Sequence, residues 1–260
     1  MQQVWDAYWT PAETADISCL RTQHPIYRLL KRLLKPSEVH GKVLGVGCGS
    51  GFLTLTLLKE FDGLAPNGVL LDYSRVALML ARKNAFENHI MVQFVLADAL
   101  NMPFLDRTFE LVYNAGVCEH FYGDGRTRIF LEMARVCNEK GHMIVIVPNT
   151  LSLPYRIWKK LLELQGRWGY GLERPFSIFE LRNRIRSARL VPNKEKGGVI
   201  LGSFQKLLTL QMPGNDSSTH SGQRMTTIER LLRGIELNIE SLLGLFGEYI
   251  GIEATRMDSI

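Results

Sequence analysis

Short apolar runs alternate with longer amphipathic stretches through the middle of the chain. Residues 42–46, 69–72, 92–97, 109–113 and 142–147 each have the length of a strand and are rich in Val, Ile, Leu or Phe. Between them, 52–60, 75–84 and 126–136 have the length and spacing of helices. Strands that alternate with helices predict right-handed βαβ units, and therefore an α/β fold whose parallel sheet is covered on both faces. Turn chemistry supports the phasing: Pro66-Asn67-Gly68 stands before the second run and Asn138-Glu139-Lys140-Gly141 before the fifth.

The rhythm changes on either side of this block. Before it, Ile26, Leu29, Leu30, Leu33 and Leu34 share a segment with Arg28, Lys31, Arg32 and Lys35, which predicts an amphipathic helix with a basic outer face. That face reads either as a solvated surface or as a contact for an anionic lipid or peripheral membrane site. After Pro148-Asn149, residues 154–164 predict an added helix, followed by a Gly- and aromatic-rich loop at 166–175. Ser177-Ile178-Phe179-Glu180 is a capping box opening a helix to about residue 188. Leu190-Val191 is strand-like, and Pro192 confines that strand to an edge or an end. Residues 211–224 are polar and turn-rich, and Thr226-Thr227-Ile228-Glu229 is a second capping box. The stripe Ile228, Leu231, Leu232, Ile235, Ile239, Leu242 and Leu243 is too short for a coiled coil and reads as packing on the sheet or as a lid. Residues 248–256 predict a closing strand. The organisation is therefore one domain: a helical cap over 1–38, a core over 39–149, an insertion over 150–176, and the rest of the fold with a further inserted loop and helix over 177–260.

Composition narrows the class. With 46% hydrophobic and 22% charged residues, the 260-residue chain reads as an ordinary globular protein that buries a sizeable core. A net charge of +5 leans basic, but Lys and Arg are scattered rather than gathered into a stripe, so no nucleic-acid partner is expected. The four cysteines form no C-x-x-C pair and the histidines have no ligand spacing, so no metal is expected. No signal-peptide pattern or membrane-length apolar run is visible, which makes the expected location cytoplasmic.

The candidate chemistry begins at the first strand. Lys42-Val43-Leu44-Gly45-Val46-Gly47-Cys48-Gly49-Ser50-Gly51 runs from a strand through a glycine turn into a helix. Glycines there tolerate positive φ and let a ligand lie against the backbone, at the carboxyl ends of the strands. The next strand ends in Asp72, about 20 residues past the loop, where a Rossmann-type fold hydrogen-bonds ribose hydroxyls. A third strand ends in Asp98-Ala99, and an Asp at that rim accepts from an adenine amino group.

This order resembles the class I S-adenosylmethionine-dependent methyltransferases, in particular the small-molecule group that includes quinone-biosynthesis methyltransferases. The resemblance extends from about residue 39 to Asn149. Residues 43–51 look like the family's first motif, Asp72 like its ribose-binding acid, and Asp98-Ala99 like its adenine-contacting pair. Residues 104–113 look like the segment forming the fourth strand, Val117-Cys118-Glu119-His120-Phe121 like the Glu-His stretch after it, and 135–149 like the helix end, turn and fifth strand. The resemblance implies a Rossmann-like, seven-stranded, mostly parallel sheet with helices on both faces and helical lid or insertion segments. It implies S-adenosylmethionine as cofactor, held by Gly45, Gly47, Cys48, Gly49, Gly51, Asp72, Tyr73, Asp98, Ala99 and, through its backbone, Asn114. One position departs from the pattern: the family carries an acid where this chain has Gly45. Glu110 likewise stands where the family commonly has Asp.

Methyl transfer from a sulfonium needs positioning more than covalent help, so no Ser-His-Asp or metal constellation is required. A general base helps if the small-molecule acceptor is a hydroxyl or an acidic carbon. His120 is the candidate base or orienter, with Glu119 and Tyr122 beside it; a packing histidine is the plain alternative, and Glu119 reads equally as a turn cap. Asn149 either faces the acceptor or makes a turn. Trp5, Tyr8 and Trp9 are candidates for a lid, and Trp158, Trp168, Tyr170 and Phe176 for either an acceptor pocket or core. A nicotinamide enzyme fits less well, because Ser50 occupies the sixth place of G-x-G-x-x-G counted from Gly45. A base-amine methyltransferase is disfavoured by Tyr113-Asn114-Ala115-Gly116, which lacks the Asp/Asn-Pro-Pro-aromatic stretch. A non-catalytic member that keeps the fold is the further alternative, and Gly45 is its basis.

Overall fold

The computed structural model describes residues 2–10, 24–34, 39–60, 67–198, 203, 206–208 and 244–256. The polar stretch 211–224, the second capping box at 226–229 and the apolar stripe over 228–243 lie outside these, as do Cys19, Lys35 and His220.

Five parallel strands form as the apolar runs predict: β1 (Val43–Val46), β2 (Gly68–Asp72), β3 (Val92–Leu96), β4 (Phe109–Ala115) and β5 (Cys137–Pro148). Two more, β6 (Leu190–Gly198) and β7 (Tyr249–Arg256), complete a seven-stranded sheet in the order β3-β2-β1-β4-β5-β7-β6. β7 is antiparallel to both of its neighbours, β5 and β6. The helices are α1 (Gln2–Trp9), α2 (Pro25–Leu33), α3 (Phe52–Glu60), α4 (Arg75–Glu87), α5 (Gly125–Val136), α6 (Leu153–Leu164) and α7 (Ile178–Ser187). Successive side chains of a strand point to opposite faces, and each face has its own core. Leu44 and Val46 of β1 join Val112 and Val145 under Ile129, Phe130 and Met133 of α5 and Ile185 of α7. Val43, Leu111, Ile144 and Ile146 meet Tyr27, Leu30 and Leu33 of α2 on the other face. The strand order reverses between β1 and β4, so the crossovers diverge there and leave a crevice beyond the carboxyl ends of the strands.

Three sequence expectations change. Asn138-Glu139-Lys140-Gly141 is not a turn before β5 but part of it, absorbed as an irregularity: Phe109 pairs Cys137, and the next pair is Leu111 with His142. The tertiary pairing of β4 overrides the local turn propensity of these residues. The strand after Ala188 continues well past Val191, as an edge strand whose register shifts between Pro192 and Lys194; the bulge accommodates the missing proline N–H. Ser177 caps α7 by accepting from Glu180 N, but Glu180 does not return the bond as a capping box would. Its carboxylate instead takes Arg126, with Nε to Oε1 at 2.8 Å. The basic face of α2 is partly engaged within the fold: Lys31 pairs with Glu60 at 2.7 Å and Arg32 donates to Gly197 O at 3.2 Å.

Among the described residues, Arg126 is the largest fully buried side chain. It binds Glu180 through Nε and Nη2, donates to the carbonyls of Arg174 and Pro175, and lies 3.4 Å from the centroid of the Phe176 ring. It therefore fastens α5 to α7 and to the end of the insertion. Arg126→Met leaves the part-buried Glu180 with only Arg184 at 3.8 Å and removes the donors to the Arg174 and Pro175 carbonyls, so it is expected to lower unfolding free energy by about 1–3 kcal/mol. Chemical denaturation of the purified variant beside the wild type checks this.

Candidate active site

The glycine turn closes β1. Gly47, Gly49 and Gly51 all adopt positive φ, at 64°, 54° and 77°, a region other residues enter only with strain. Cys48 N donates back to Leu71 O at 2.9 Å, which keeps the turn against β2. Gly47 and Gly49 also lie against side chains: a Cβ on Gly47 would fall 2.3 Å from Val117, and one on Gly49 would fall 2.6 Å from the Trp9 ring. Gly51 packs instead on Leu70 and Ala81, off the crevice.

The end of β2 holds this turn in place. Asp72 accepts from Gly49 N through Oδ2 and from Ser74 N through Oδ1, both at 2.8 Å. Burial raises the Asp72 carboxyl above its ordinary value, against the opposing pull of these N–H bonds. Ser74 in turn caps α4 by accepting from Ala77 N and donates to Asp6 Oδ1 of α1 at 2.5 Å. At the end of β3, Asp98 Oδ1 accepts from Leu100 N at 2.8 Å.

A cavity of about 240 Å³ lies in the crevice. Gly45, Gly47, Cys48, Gly49, Asp72, Tyr73, Asp98, Ala99 and His120 all line it, as the sequence pattern groups them. Asn114 does not: it sits on the face of β4 opposite Tyr113, fully buried, and neither of its amide atoms bonds a described residue. Ala115 and Gly116 line the cavity in its place. Among the described residues, Asp72 and Asp98 are the only carboxylates on the wall.

The sequence pattern gave no sign of what stands beside Gly45. A Cβ there would fall 2.5 Å from Thr54 Oγ1 and 3.2 Å from the Tyr113 hydroxyl. Those two hydroxyls are 2.5 Å apart and bonded to each other, with both residues buried. Tyr113 is on the cavity wall, and burial pushes its phenol well up, so it stays protonated. Position 45 has no room for a carboxylate because this hydroxyl pair occupies the space.

On the β4 side, Cys118–His120 form a 3-10 turn. His120 Nδ1 lies 2.7 Å from Leu172 O, a bond in which the ring nitrogen must donate to the carbonyl. In the neutral ring that leaves Nε2 unprotonated. Burial lowers the His120 pKa to about 4, and the Trp5 ring meets it edge-on at 4.7 Å. Glu119 lies behind the wall rather than on it, with Oε2 unbonded among the described residues. Burial, and then the charge of Glu173, raise its carboxyl well above the usual range. Tyr122 is exposed and also off the wall. Glu119, His120 and Glu173 bring potential ligand atoms within 4.8 Å of one another. Positive charge is already present there, because Lys159 Nζ lies 3.1 Å from Glu173 Oε1, which the Tyr155 hydroxyl also binds.

Helix α1 covers the crevice. Trp5 and Trp9 line the cavity, while Tyr8 meets Tyr170 of the insertion with ring centroids 5.2 Å apart. The aromatic residues of the insertion pack instead of lining the cavity: Trp158 joins Tyr155 and Leu162 in a small cluster against which Trp168 rests, and Phe176 is in the main core. Asn149 makes a turn, donating to Leu245 O and Gly247 O and accepting from Leu151 N. Ile26, Phe52, Leu53 and Phe121 are further wall residues, which the sequence does not distinguish from core positions.

A family model for a methyltransferase domain matches residues 43–141. The release factor glutamine methyltransferase of Koribacter versatilis is 36% identical over 181 residues, covering 66% of this chain and 60% of that protein. The demethylmenaquinone methyltransferase of Thermotoga maritima is 30% identical over 125 residues, covering 47% and 51%. The chain thus spans only about half to three fifths of the length of these relatives. Among solved structures, a possible histamine N-methyltransferase from Thermotoga maritima shares the fold with a TM-score of 0.59 at 18% identity, covering 98% of this chain and 99% of that one. Residues 43–141 thus match a methyltransferase domain, and the topology, with the glycine turn and its two acids, supports a class I S-adenosylmethionine-dependent methyltransferase.

Proposed function

We propose that this protein transfers the methyl group of S-adenosylmethionine to a largely apolar small-molecule acceptor, at a hydroxyl oxygen or an acidic carbon presented beside His120. The observation that carries this reading is a neutral imidazole base and a ribose-type acid on the wall of one cavity. The residues fit the cofactor. The glycine turn brings bare backbone of Gly45, Gly47 and Gly49 to the cavity wall, and Asp72, with Oδ1 and Oδ2 each accepting a backbone N–H, keeps lone pairs for ribose hydroxyls. Asp98, with one oxygen on Leu100 N, has the other for the adenine amino group. Tyr73 and Ala99 flank these two acids on the wall.

When bound, the sulfonium supplies a methyl group already activated for in-line displacement. The protein's part is orientation and the exclusion of water. Trp5 and Trp9 of α1 close the crevice over the glycine turn. His120 Nε2, 3.9 Å from Glu119 Oε1, takes the proton released by the acceptor, while the Nδ1 bond to Leu172 O fixes the tautomer that leaves Nε2 unprotonated. The relatives named above act, by their names, on a protein glutamine and on a demethylated quinone. The wall of Trp5, Trp9, Ile26, Phe52, Leu53 and Phe121 favours an apolar ring over a polar peptide.

Calorimetry should show S-adenosylmethionine and S-adenosylhomocysteine binding to the protein, and NAD failing to bind. Failure of both sulfur compounds at high concentration would sink the reading. Asp72→Ala loses the ribose acceptor and the anchor of the turn together, and should weaken S-adenosylhomocysteine by at least about 30-fold, from the worth of charge-assisted hydrogen bonds. His120→Gln should lower kcat by about 10²–10⁴-fold while leaving S-adenosylhomocysteine affinity nearly intact. The readout is methyl-labelled cofactor with a panel of phenols and hydroxyquinones.

The same assay tests the pH dependence. A pKa lowered to about 4 keeps His120 in its base form as pH falls. The acid limb of kcat/KM should therefore lie near pH 4, and a limb at the ordinary imidazole value would contradict the buried, neutral base.

A further inference from the structure

We infer that the Tyr113 hydroxyl, held on the cavity wall by its bond to the buried Thr54 hydroxyl, receives the α-ammonium of the cofactor's methionine end, with no side-chain carboxylate taking part. The inference rests on the cofactor reading above and concerns how this chain completes that site. Asp72 and Asp98 stand at the ends of β2 and β3, so a nucleoside bound to them sends its other end across β1 toward β4. On that side the wall consists of Gly45 and Tyr113, which are directly paired in register, with Ala115, Gly116 and His120 beyond. Among the described residues it contains no carboxylate.

An ammonium group brings three donors and no acceptor. The Tyr113 oxygen, which is on the cavity wall, carries two lone pairs, and its 2.5 Å bond with the buried Thr54 hydroxyl uses at most one of them. Because burial keeps the Tyr113 phenol protonated, it meets the ammonium as a dipolar acceptor and not as an ion. Gly45 is a requirement of this arrangement: any side chain there would collide with Thr54 Oγ1. The chain has exchanged a charge at position 45 for two hydroxyls contributed by α3 and β4.

The test compares calorimetric affinities of the full chain for S-adenosylhomocysteine and for its deaminated analogue, in which hydrogen replaces the α-amino group. Tyr113→Phe should weaken S-adenosylhomocysteine by about 10- to 100-fold, the worth of a hydrogen bond to a charged group, and leave the analogue within about twofold. That single variant orphans the buried Thr54 hydroxyl. The double variant Thr54→Val with Tyr113→Phe removes both hydroxyls at nearly constant volume, so it retains the fold and should show the same amino-selective loss. Gly45→Asp alone should abolish binding by collision, and Gly45→Asp with Thr54→Ala and Tyr113→Phe should restore it through an ion pair. If the double variant binds both compounds as the wild type does, or loses both equally, the inference is overturned. If the wild type binds neither compound, the cofactor reading itself fails, and the inference with it.

Discussion

Everything at the mouth of the sheet is referred to one carboxylate. Asp72, at the end of β2, bonds the backbone of Gly49 and of Ser74. It thereby holds the glycine turn against the start of α4, and Ser74 extends the connection to Asp6 of α1. A turn of three left-handed glycines has little conformational preference of its own. Pinned from outside, it becomes a cradle of defined shape. Burial nevertheless lifts the Asp72 carboxyl above its usual range in spite of the backbone N–H bonds it accepts. An under-solvated anion is one for which further donors are strongly favourable, and two ribose hydroxyls are such donors.

The opposite wall is supported from behind by the insertion after β5. Leu172 O fixes the His120 ring, Arg174 N donates to Glu119 O, and Arg126 collects the carbonyls of Arg174 and Pro175. The segment 172–175 therefore acts as a splint for the 3-10 turn that carries His120. Its aromatic residues contribute rigidity, through the Trp158 cluster and the Tyr8–Tyr170 contact, in place of lining the cavity. Burying the imidazole removes its charge and keeps one nitrogen as an acceptor.

Gly45 shows how a departure from a sequence pattern is resolved by packing. Read along the chain, the position lacks an acid. In three dimensions the vacated volume is filled by a bonded hydroxyl pair from residues 59 apart in sequence. A neutral pair avoids the desolvation cost of a second buried carboxylate near Asp72.

The sequence by itself determined the five parallel strands, the three helices between them, the glycine turn and the acids at the ends of β2 and β3. These follow from short-range physics: apolar periodicity, turn residues and the left-handed freedom of glycine act over a few residues. Only the tertiary structure decided that Asn138–Gly141 extends β5, that Asn149 ties a turn, and that Asn114 faces away from the cavity. The same holds for the burial of Arg126, the closing of Trp9 over Gly49, and the meeting of Thr54 with Tyr113. Each depends on strand register and on which side chain fills a space between elements distant in sequence. No local pattern encodes that, because a shift of one residue in register would carry each side chain to the other face of the sheet.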